Sequence, residues 1–243
     1  MPKALHVVLV NPRNPLNIGA AARAMSNFGF NSLRLVNPYA VAFREARSAV
    51  GGAHVLKSAI EYKSVAEAIA DCSLVVGTTA VRHRELLHPL KTLAMGAPLI
   101  RKKLVHRNVA LLFGTEKFGL STDDLTHCDW LLRIPTSGNI SMNLGQAVAV
   151  CLYELSRDGV KARSREKIES ATAGQMERLT AMLFEALTES GYVKPRTEAS
   201  TGQKLRRMLR RLHISAEDAE VLQGMLRQIS WKIGGAGRNR TDA

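Results

Sequence analysis

The sequence predicts an α/β protein with a largely parallel central sheet, followed by a small helical module. Short, nearly all-apolar runs recur along the chain, and such runs are typical of strands buried on both faces of a parallel sheet. Segments of helical composition separate these runs, and this alternation favours parallel strands joined by crossover helices. The predicted strands are His6–Val10, Leu33–Val36, Leu74–Val76, Val109–Phe113 and Trp130–Ile134. The predicted helices of this part are Ile18–Phe28, Val65–Ala70 and Asn143–Leu155.

Small and polar residues are concentrated directly after four of the predicted strands. The first is followed by NPRNPLNIGAAAR, the third by GTTAVRHRE, the fourth by GTEKFGLS and the fifth by PTSGNISMNLGQ. Stretches of this kind can present backbone N–H and C=O groups to a ligand. Because ligands of open α/β sheets bind beyond the carboxyl ends of the strands, the sequence predicts a ligand site where these stretches meet.

The composition changes at Ser156–Ser170, a polar and charged stretch that predicts a solvated linker. We therefore divide the chain into a domain of residues 1–160 and a linker with a helical module at 161–243. In the module, Ser215 is predicted to cap the last helix, with Asp218 three residues further on. The helices are predicted at Gln175–Ser190, Glu198–Leu212 and Ala216–Ile233, and residues 234–243 are predicted to be a disordered tail.

The charge of the chain is strongly positive. Lys and Arg total 34 against 21 Asp and Glu, which gives a formal net charge of +13 and an isoelectric point near 10.1. Cationic side chains that neutralise phosphates release condensed counterions, so this balance favours a nucleic-acid partner.

Several function classes lack their sequence signature. Cys72, Cys128 and Cys151 are widely spaced, which disfavours a disulfide framework or a structural zinc site. The sequence contains no GxGxxG, GxxxxGK[ST] or GxSxG pattern, and HRELLH at 83–88 fails the HExxH spacing. No apolar run reaches the length of a membrane span. We therefore expect no metal, no membrane contact and a reducing compartment, the cytoplasm.

Three segments, in order between residues 17 and 148, resemble the three motifs of the TrmH-like branch of the SPOUT RNA methyltransferases. The first, NIGAAAR, spans Asn17–Arg23 and is followed by Phe28-Gly29. The second, LFGTEKFGL, spans Leu112–Leu120, and the third joins IPT at 134–136 to SMNLGQAV at 141–148. One of these segments alone would be a weak signal, because FGxExxG also fits a plain turn at a strand end. All three in order are specific.

The resemblance implies a fold and a cofactor. The fold is a SPOUT (α/β-knot) domain with a parallel sheet and a C-terminal trefoil knot, an exception to the rule that chains do not thread their own loops. The cofactor is S-adenosylmethionine, held by the loops that follow the strands. The residues that the resemblance assigns to cofactor binding are Thr78, Thr79, Ala80, Gly114, Ile134, Ser141 and Met142.

The reaction implied by the resemblance is methyl transfer to a ribose 2′-hydroxyl, with Arg23, Ser141 and Asn143 as catalytic residues. A guanidinium group suits ribose and phosphate oxygens because its donors form a rigid fork. Arginine gives up its proton very reluctantly. We therefore expect Arg23 to orient the hydroxyl and stabilise the developing alkoxide, and we assign no proton acceptor. Asn17 and Glu116 are predicted to hold the first two motifs together.

The resemblance also implies a substrate and an assembly. The opening VVLVNPRNPLNIGAAARAM, the LVVGTTAVRHR loop and the C-terminal KLRRMLRRLHISAEDAEVLQGMLRQI are similar to members of this branch that methylate the ribose of tRNA nucleotide 32. These members imply tRNA as partner and a homodimer, and they leave cytidine and uridine open as the target. The predicted tRNA contacts are Asn17, Arg82, Arg84, Lys204, Arg206, Arg207, Arg210 and Arg211.

Two other functions stay open at this point. One is a ribose 2′-O-methyltransferase acting on ribosomal RNA, as other members of the branch do. The C-terminal position of the helical module disfavours this alternative, since such members usually carry an N-terminal RNA-binding domain. The other is a non-catalytic RNA-binding protein that has kept the fold. The presence of Arg23, Ser141 and Asn143 disfavours that second alternative.

Overall fold

The computed structural model describes residues 4–39, 52–80, 87–137, 140–157 and 169–238, and within them seven parallel strands form one sheet. The strands are β1 (Leu5–Val10), β2 (Ser32–Val36), β3 (Ile60–Tyr62), β4 (Leu74–Thr78), β5 (Leu90–Thr92), β6 (Val109–Phe113) and β7 (Trp130–Arg133). Their order across the sheet is β3-β2-β1-β6-β4-β7-β5. The carboxyl ends of β4, β6 and β7 therefore lie side by side, and we call this end of the strands the carboxyl edge of the sheet. This arrangement is the one that the predicted α/β class requires.

Helices cover both faces of the sheet. They are α1 (Pro15–Asn27), α2 (Ala53–Lys57), α3 (Val65–Ala68), α4 (Leu93–Leu104), α5 (Thr122–Thr126) and α6 (Leu144–Ser156). Along β1, Val7 and Leu9 face the core shared with α1, α4 and α6, whereas Val8 and Val10 face the core shared with α3 and α5. The interior strands are largely apolar, with exceptions such as the buried His6 of β1 and Arg34 of β2, because successive side chains point to opposite faces and both faces are buried.

The five predicted strands are confirmed, each to within two residues at either end. The sequence analysis missed β3 and β5 because they are the two outermost strands of the sheet and have only three residues each. An outermost strand needs no apolar run, and Ile60 of β3 is exposed. The helix α4 was missed because it contains Gly96 and Pro98, two residues that weaken a helical pattern. Gly96 lies against β7: a Cβ there would come within 2.5 Å of the Leu132 side chain.

The C-terminal module consists of α7 (Ala173–Glu189), a 3₁₀ turn (Pro195–Thr197), α8 (Glu198–Arg211) and α9 (Ala216–Arg238), which confirms its helical class. It has a small core of its own, with Leu179, Leu209 and Ala219 among its buried residues. The predicted cap is present, since the Ser215 hydroxyl accepts a hydrogen bond from the Asp218 N–H at 2.9 Å. The prediction of a tail from residue 234 is wrong at its start, because α9 continues to 238.

The module packs against the amino edge of the sheet, the edge opposite to the predicted ligand site. The N–H of Ala173 donates to the carbonyl of Cys72 at 2.7 Å, and the N–H of Gly174 donates to the carbonyl of Ala70 at 2.9 Å. Both acceptors directly precede β4.

Among the described residues, no helix has both the length and the apolar character that crossing a lipid bilayer requires. The predicted trefoil knot stays a prediction.

Candidate active site

A cavity of about 340 Å³ opens at the carboxyl edge of the sheet, where β4, β6 and β7 end. Its volume lies in the range of small-molecule sites in proteins. The structure brings together at this cavity all of the residues that the sequence assigned to cofactor binding. They are Thr78, Thr79, Ala80, Gly114, Ile134, Ser141 and Met142.

The wall formed by the end of β4 is held between its two neighbouring strands. The Thr78 hydroxyl donates to the Leu112 carbonyl of β6 at 2.9 Å. The Thr79 N–H donates to the Leu132 carbonyl of β7 at 3.0 Å. Because both bonds are made to strands, this wall keeps its place relative to the rest of the cavity.

The wall that follows β6 is a tight turn closed by two backbone hydrogen bonds. The Thr115 N–H donates to the Gly119 carbonyl at 3.1 Å, and the Gly119 N–H donates back at 2.9 Å. Gly119 has a φ of +69°, which glycine adopts without strain. A Cβ on Gly114 would lie 1.9 Å from the backbone carbon of Gly119. Both glycines thus serve the turn, and Gly114 also lines the cavity.

A chain of side-chain hydrogen bonds connects the three motif segments. Glu116 Oε1 accepts from the N–H of Asn14 at 3.0 Å, the N–H of Arg13 at 3.4 Å and Asn17 Nδ2 at 3.2 Å. Asn17 Oδ1 in turn accepts from Asn143 Nδ2 at 2.8 Å. The prediction that Asn17 and Glu116 hold the first two motifs together is confirmed. Since the Asn17 side chain is buried and bonded to protein at both ends, the structure gives it a positioning role.

Asn143 also caps the helix that carries the third motif. Its Oδ1 accepts from the N–H groups of Gly145 at 2.9 Å and Gln146 at 3.3 Å. A Cβ on Gly145 would come within 2.5 Å of Ala20 Cβ, so α6 approaches α1 closely at this point. The cap thereby fixes the segment that leads from Ser141 into α6.

Asn14 is a site residue that the sequence analysis missed. Its side chain accepts from the N–H of Leu16 and caps α1, with Pro15 in the first helical position. An Asn followed by Pro is a recognisable start signal for a helix, and it was present in the sequence. The missed cavity wall is formed by the buried Phe113, Leu132 and Leu144, whose apolar character does not distinguish them from core residues.

Arg23 is exposed on α1 and is not among the described residues that line the cavity. Gly52 lies against the α1 backbone beside it: a Cβ there would lie 2.8 Å from the Arg23 nitrogen. One chain therefore does not by itself place the Arg23 guanidinium at the cavity.

The five predicted cations of α8 fall into two stripes with different surroundings. Arg206 and Arg210 face carboxylates of the same chain: an Arg206 Nη2 lies 2.9 Å from Glu177 Oε1, and an Arg210 Nη2 lies 3.3 Å from Asp129 Oδ2. Both guanidinium groups are paired within the chain, and their contact with RNA phosphates stays a prediction.

The other stripe is Lys204, Arg207 and Arg211, at the i, i+3 and i+7 spacing of one helical face. Lys204 and Arg211 are exposed, and Arg207 is partly exposed. Burial, together with the charges of Arg207 and Arg211, lowers the pKa of the nearby His88 to about 4. The predicted contacts Arg82 and Arg84 lie outside the described residues.

The model of the SpoU rRNA Methylase family matches residues 4–153 of this chain. The chain is 33% identical over 253 residues to "tRNA (cytidine/uridine/adenosine-2'-O-)-methyltransferase TrmJ" of Pseudomonas aeruginosa, with 98% of each chain covered. It is 33% identical over 234 residues to "tRNA (cytidine/uridine-2'-O-)-methyltransferase TrmJ" of Yersinia pestis, which covers 93% of this chain and 91% of the relative.

Solved structures show the same similarity. The crystal structure of TrmJ from Z. mobilis ZM4 has a TM-score of 0.81 at 32% identity and covers 93% of this chain and 98% of its own. A putative methylase family protein from Neisseria gonorrhoeae has a TM-score of 0.65 at 28% identity, with 74% and 93% covered.

Proposed function

The chain belongs to the SpoU methylase family, and from that premise we propose that it methylates a ribose 2′-hydroxyl of tRNA at nucleotide 32, using S-adenosylmethionine. The observation that carries the proposal is the single cavity at the carboxyl edge of the sheet, around which the three motif segments meet. A site assembled from strand ends in this way is where open α/β sheets bind their ligands.

The choice of tRNA over ribosomal RNA is supported by how much of the chain each comparison covers. The family model carries rRNA in its description but ends at residue 153, before the helical module. The relatives named as tRNA methyltransferases are similar over 93–98% of this chain and therefore include the module. The substrate assignment follows the comparison that includes both parts.

The cavity residues fit S-adenosylmethionine. The walls combine buried apolar side chains such as Phe113 and Leu132 with small polar residues, which suits an uncharged purine ring. Gly114 and the segment 78–80 present backbone to the cavity with little side chain in the way. The bound cofactor supplies an electrophilic methyl group on a sulfonium centre, and the residues of this chain orient the acceptor towards it.

Arg23 is the residue we assign to the ribose side of the reaction. Its fork of donors can hold the 2′-oxygen in line with the methyl group and stabilise negative charge as the proton leaves. Ser141 lines the cavity directly before the Asn143 cap, which places its hydroxyl in a segment of fixed position.

We also propose that the active unit is a homodimer. In one chain Arg23 lies on the exposed face of α1 and is not among the described residues that line the cavity. A second copy packed against α1 and α6 would bring the Arg23 of one protomer to the cavity of the other. Exposed apolar side chains on this side, Leu16 on α1 and Tyr153 on α6, provide apolar surface for such a contact.

The stripe of Lys204, Arg207 and Arg211 is our proposed tRNA-binding surface of the module. The three cations would bind a part of the tRNA other than the nucleotide that enters the cavity. Such contacts supply affinity and carry no sequence information. With tRNA as substrate, we place the protein in the cytoplasm.

The test is mass spectrometry of nucleosides from unmodified tRNA incubated with the protein and methyl-labelled S-adenosylmethionine. We expect label in a 2′-O-methylated nucleoside that maps to position 32. Sequential use of tRNAs with cytidine, uridine or adenosine at that position gives the base preference. Label in ribosomal RNA but not in tRNA would favour the rRNA alternative, and absence of label from both would favour a non-catalytic RNA-binding protein.

A further inference from the structure

An exposed aromatic ring stands at the mouth of the cavity. Phe118 lines the cavity, yet 72% of the residue is exposed. The other aromatic residue of the wall, Phe113, is 1% exposed and belongs to the core. Single exposed apolar side chains are common on protein surfaces, but this one lies at the rim of a ligand cavity, where it can contact what the site binds.

The backbone on both sides of Phe118 is fixed. The Phe118 N–H donates to the Thr115 hydroxyl at 3.2 Å, within the turn closed by the Thr115 and Gly119 backbone bonds. Two residues earlier, Glu116 is tied to the first turn of α1. The same turn therefore directs Glu116 inwards and holds Phe118 at the rim, so a partner that contacts the ring meets a preorganised surface.

A cation lies beside the ring. Lys117 Nζ is 5.1 Å from the centroid of the Phe118 ring, and both side chains are exposed. An aromatic face next to a cation is the combination with which proteins bind single-stranded nucleic acid, the base on the ring and the phosphate near the charge. Together with the net charge of +13, this pairing favours RNA over an uncharged apolar partner.

We propose that Phe118 is a stacking platform for the base of the nucleotide whose ribose is methylated. The inference rests on the proposed function and names the residue that receives the substrate base. A ribose that reaches into the cavity has to leave the stacked RNA, and its base then needs a new stacking surface. Ile140, which is 65% exposed, lines the same cavity and offers a second apolar surface.

Stacking on Phe118 supplies affinity without selecting a base. Every nucleobase has a π-face, so the contact is tolerant of sequence. The Lys117 charge adds to it equally for each nucleotide. Phe118 is therefore a positioning residue for the target nucleotide rather than a reader of its identity.

The test is binding of a fluorescently labelled anticodon stem-loop RNA in the presence of S-adenosylhomocysteine, with the target nucleotide either intact or abasic. We expect Phe118→Ala to weaken binding of the intact RNA about 5- to 150-fold, the range that corresponds to loss of one stacked base. Phe118→Trp, which keeps an aromatic ring at this position, should bind the intact RNA as tightly as the wild type. Wild type and Phe118→Ala should bind the abasic RNA with equal affinity.

The matched control is Tyr192→Ala, which removes an aromatic side chain of similar exposure, 69%, far along the chain in the module. We expect it to bind the intact RNA as the wild type does.

The base preference for methylation should be the same for wild type and Phe118→Trp.

Four results would overturn the stacking role, and the first three would each give the ring a different role. An equal loss on intact and abasic RNA would give Phe118 a structural role, a loss of S-adenosylhomocysteine affinity in calorimetry would place the ring on the cofactor, and dissociation in sedimentation would place it between protomers. The failure of the proposed function is a separate result: the wild type would then neither bind the stem-loop nor transfer labelled methyl groups to tRNA. A wild type that does both, with an unaffected Phe118→Ala variant, overturns the stacking role alone.

Discussion

Arg210 and Asp129 form a buried ion pair across the junction between the helical module and the sheet. An Arg210 Nη2 lies 3.3 Å from Asp129 Oδ2, and the two side chains are 7% and 8% exposed. The same carboxylate oxygen accepts the N–H of Val75 at 2.7 Å, so one carboxylate binds both β4 and α8. The module is therefore a fixed part of the molecule at this edge.

Arg210→Met should destabilise the protein. It leaves the Asp129 carboxylate buried without its cation, and removing one partner of a buried pair typically costs about 3–5 kcal/mol. Urea unfolding measures the change in the free energy of unfolding. The control is Arg211→Met on the exposed face, which we expect to change it by less than about 0.5 kcal/mol. If Arg210→Met left the stability unchanged and weakened tRNA binding, Arg210 would instead be assigned to tRNA binding.

Glu116→Ala should loosen the contact between the turn after β6 and α1. The substitution removes the acceptor of three donors. The N–H groups of Arg13 and Asn14 are exposed and can bond to water, but Asn17 is buried, and a buried donor left without a partner costs about 1–3 kcal/mol. We expect a lower melting temperature and a lower kcat, with Glu116→Gln intermediate because it keeps one acceptor oxygen. The melting temperature is measured by calorimetry and kcat by methyl transfer, on the same preparations. A Glu116→Ala variant that equals the wild type in both values would contradict this role.

The interior of the sheet was predictable from sequence, and its edges were not. A strand buried on both faces is mostly apolar, so β1 and β6 could be recognised in the sequence as apolar runs. The outermost strands β3 and β5 need no such run. The cavity residues could be assigned because the motifs carry them in short segments. The role of Arg210 could not, because its partner Asp129 lies 81 residues away and helical periodicity identifies a stripe without naming what it faces.

The stability of the protein should fall with acid through Asp71. The hydrogen bond from Arg34 holds the pKa of the Asp71 carboxyl well below its usual range, although partial burial opposes this shift. His6 contributes in the same direction as Arg34. Because the folded-state pKa is below the unfolded-state value of about 4, this stabilisation is present above pH 4 and is lost as the pH falls below it.

The measurement is the melting temperature of wild type and Asp71→Asn between pH 7 and pH 3. We expect the two curves to be separated at pH 7 and the separation to narrow as the pH falls below about 4. Curves that stay parallel over the whole range would show that the Asp71–Arg34 pair, 2.6 Å between Oδ1 and Nη1, does not respond to acid in this way.

Arg23→Ala should lower kcat by at least about a hundredfold, the usual loss when one donor to a developing oxyanion is removed. Cofactor affinity should stay near that of the wild type, since Arg23 is not among the residues that line the cavity. Arg23→Lys should not restore the rate, because an ammonium group lacks the fork of donors. Calorimetry with S-adenosylhomocysteine and single-turnover methylation separate the two effects. An equal loss of cofactor affinity would instead assign Arg23 to the cofactor pocket.

The salt dependence of tRNA binding distinguishes the two stripes of α8. Each phosphate contact adds roughly one to the slope of log K against log salt concentration. Replacing Lys204, Arg207 and Arg211 together by alanine should therefore lower the slope by about three and weaken binding of every tRNA alike, with the fold intact. Arg206→Ala should act differently: it breaks the pair with Glu177 and lowers stability, but leaves the slope unchanged.

Lys63→Ala is the matched control for charge, since Lys63 is exposed beside β3, at the far end of the sheet from β5. We expect its slope to equal that of the wild type within error. A triple variant that folds normally and keeps the wild-type slope would exclude this face of the module from tRNA binding. The module would then act only through its junction with the sheet, because the Arg210–Asp129 pair holds it there whether or not the stripe of Lys204, Arg207 and Arg211 contacts RNA.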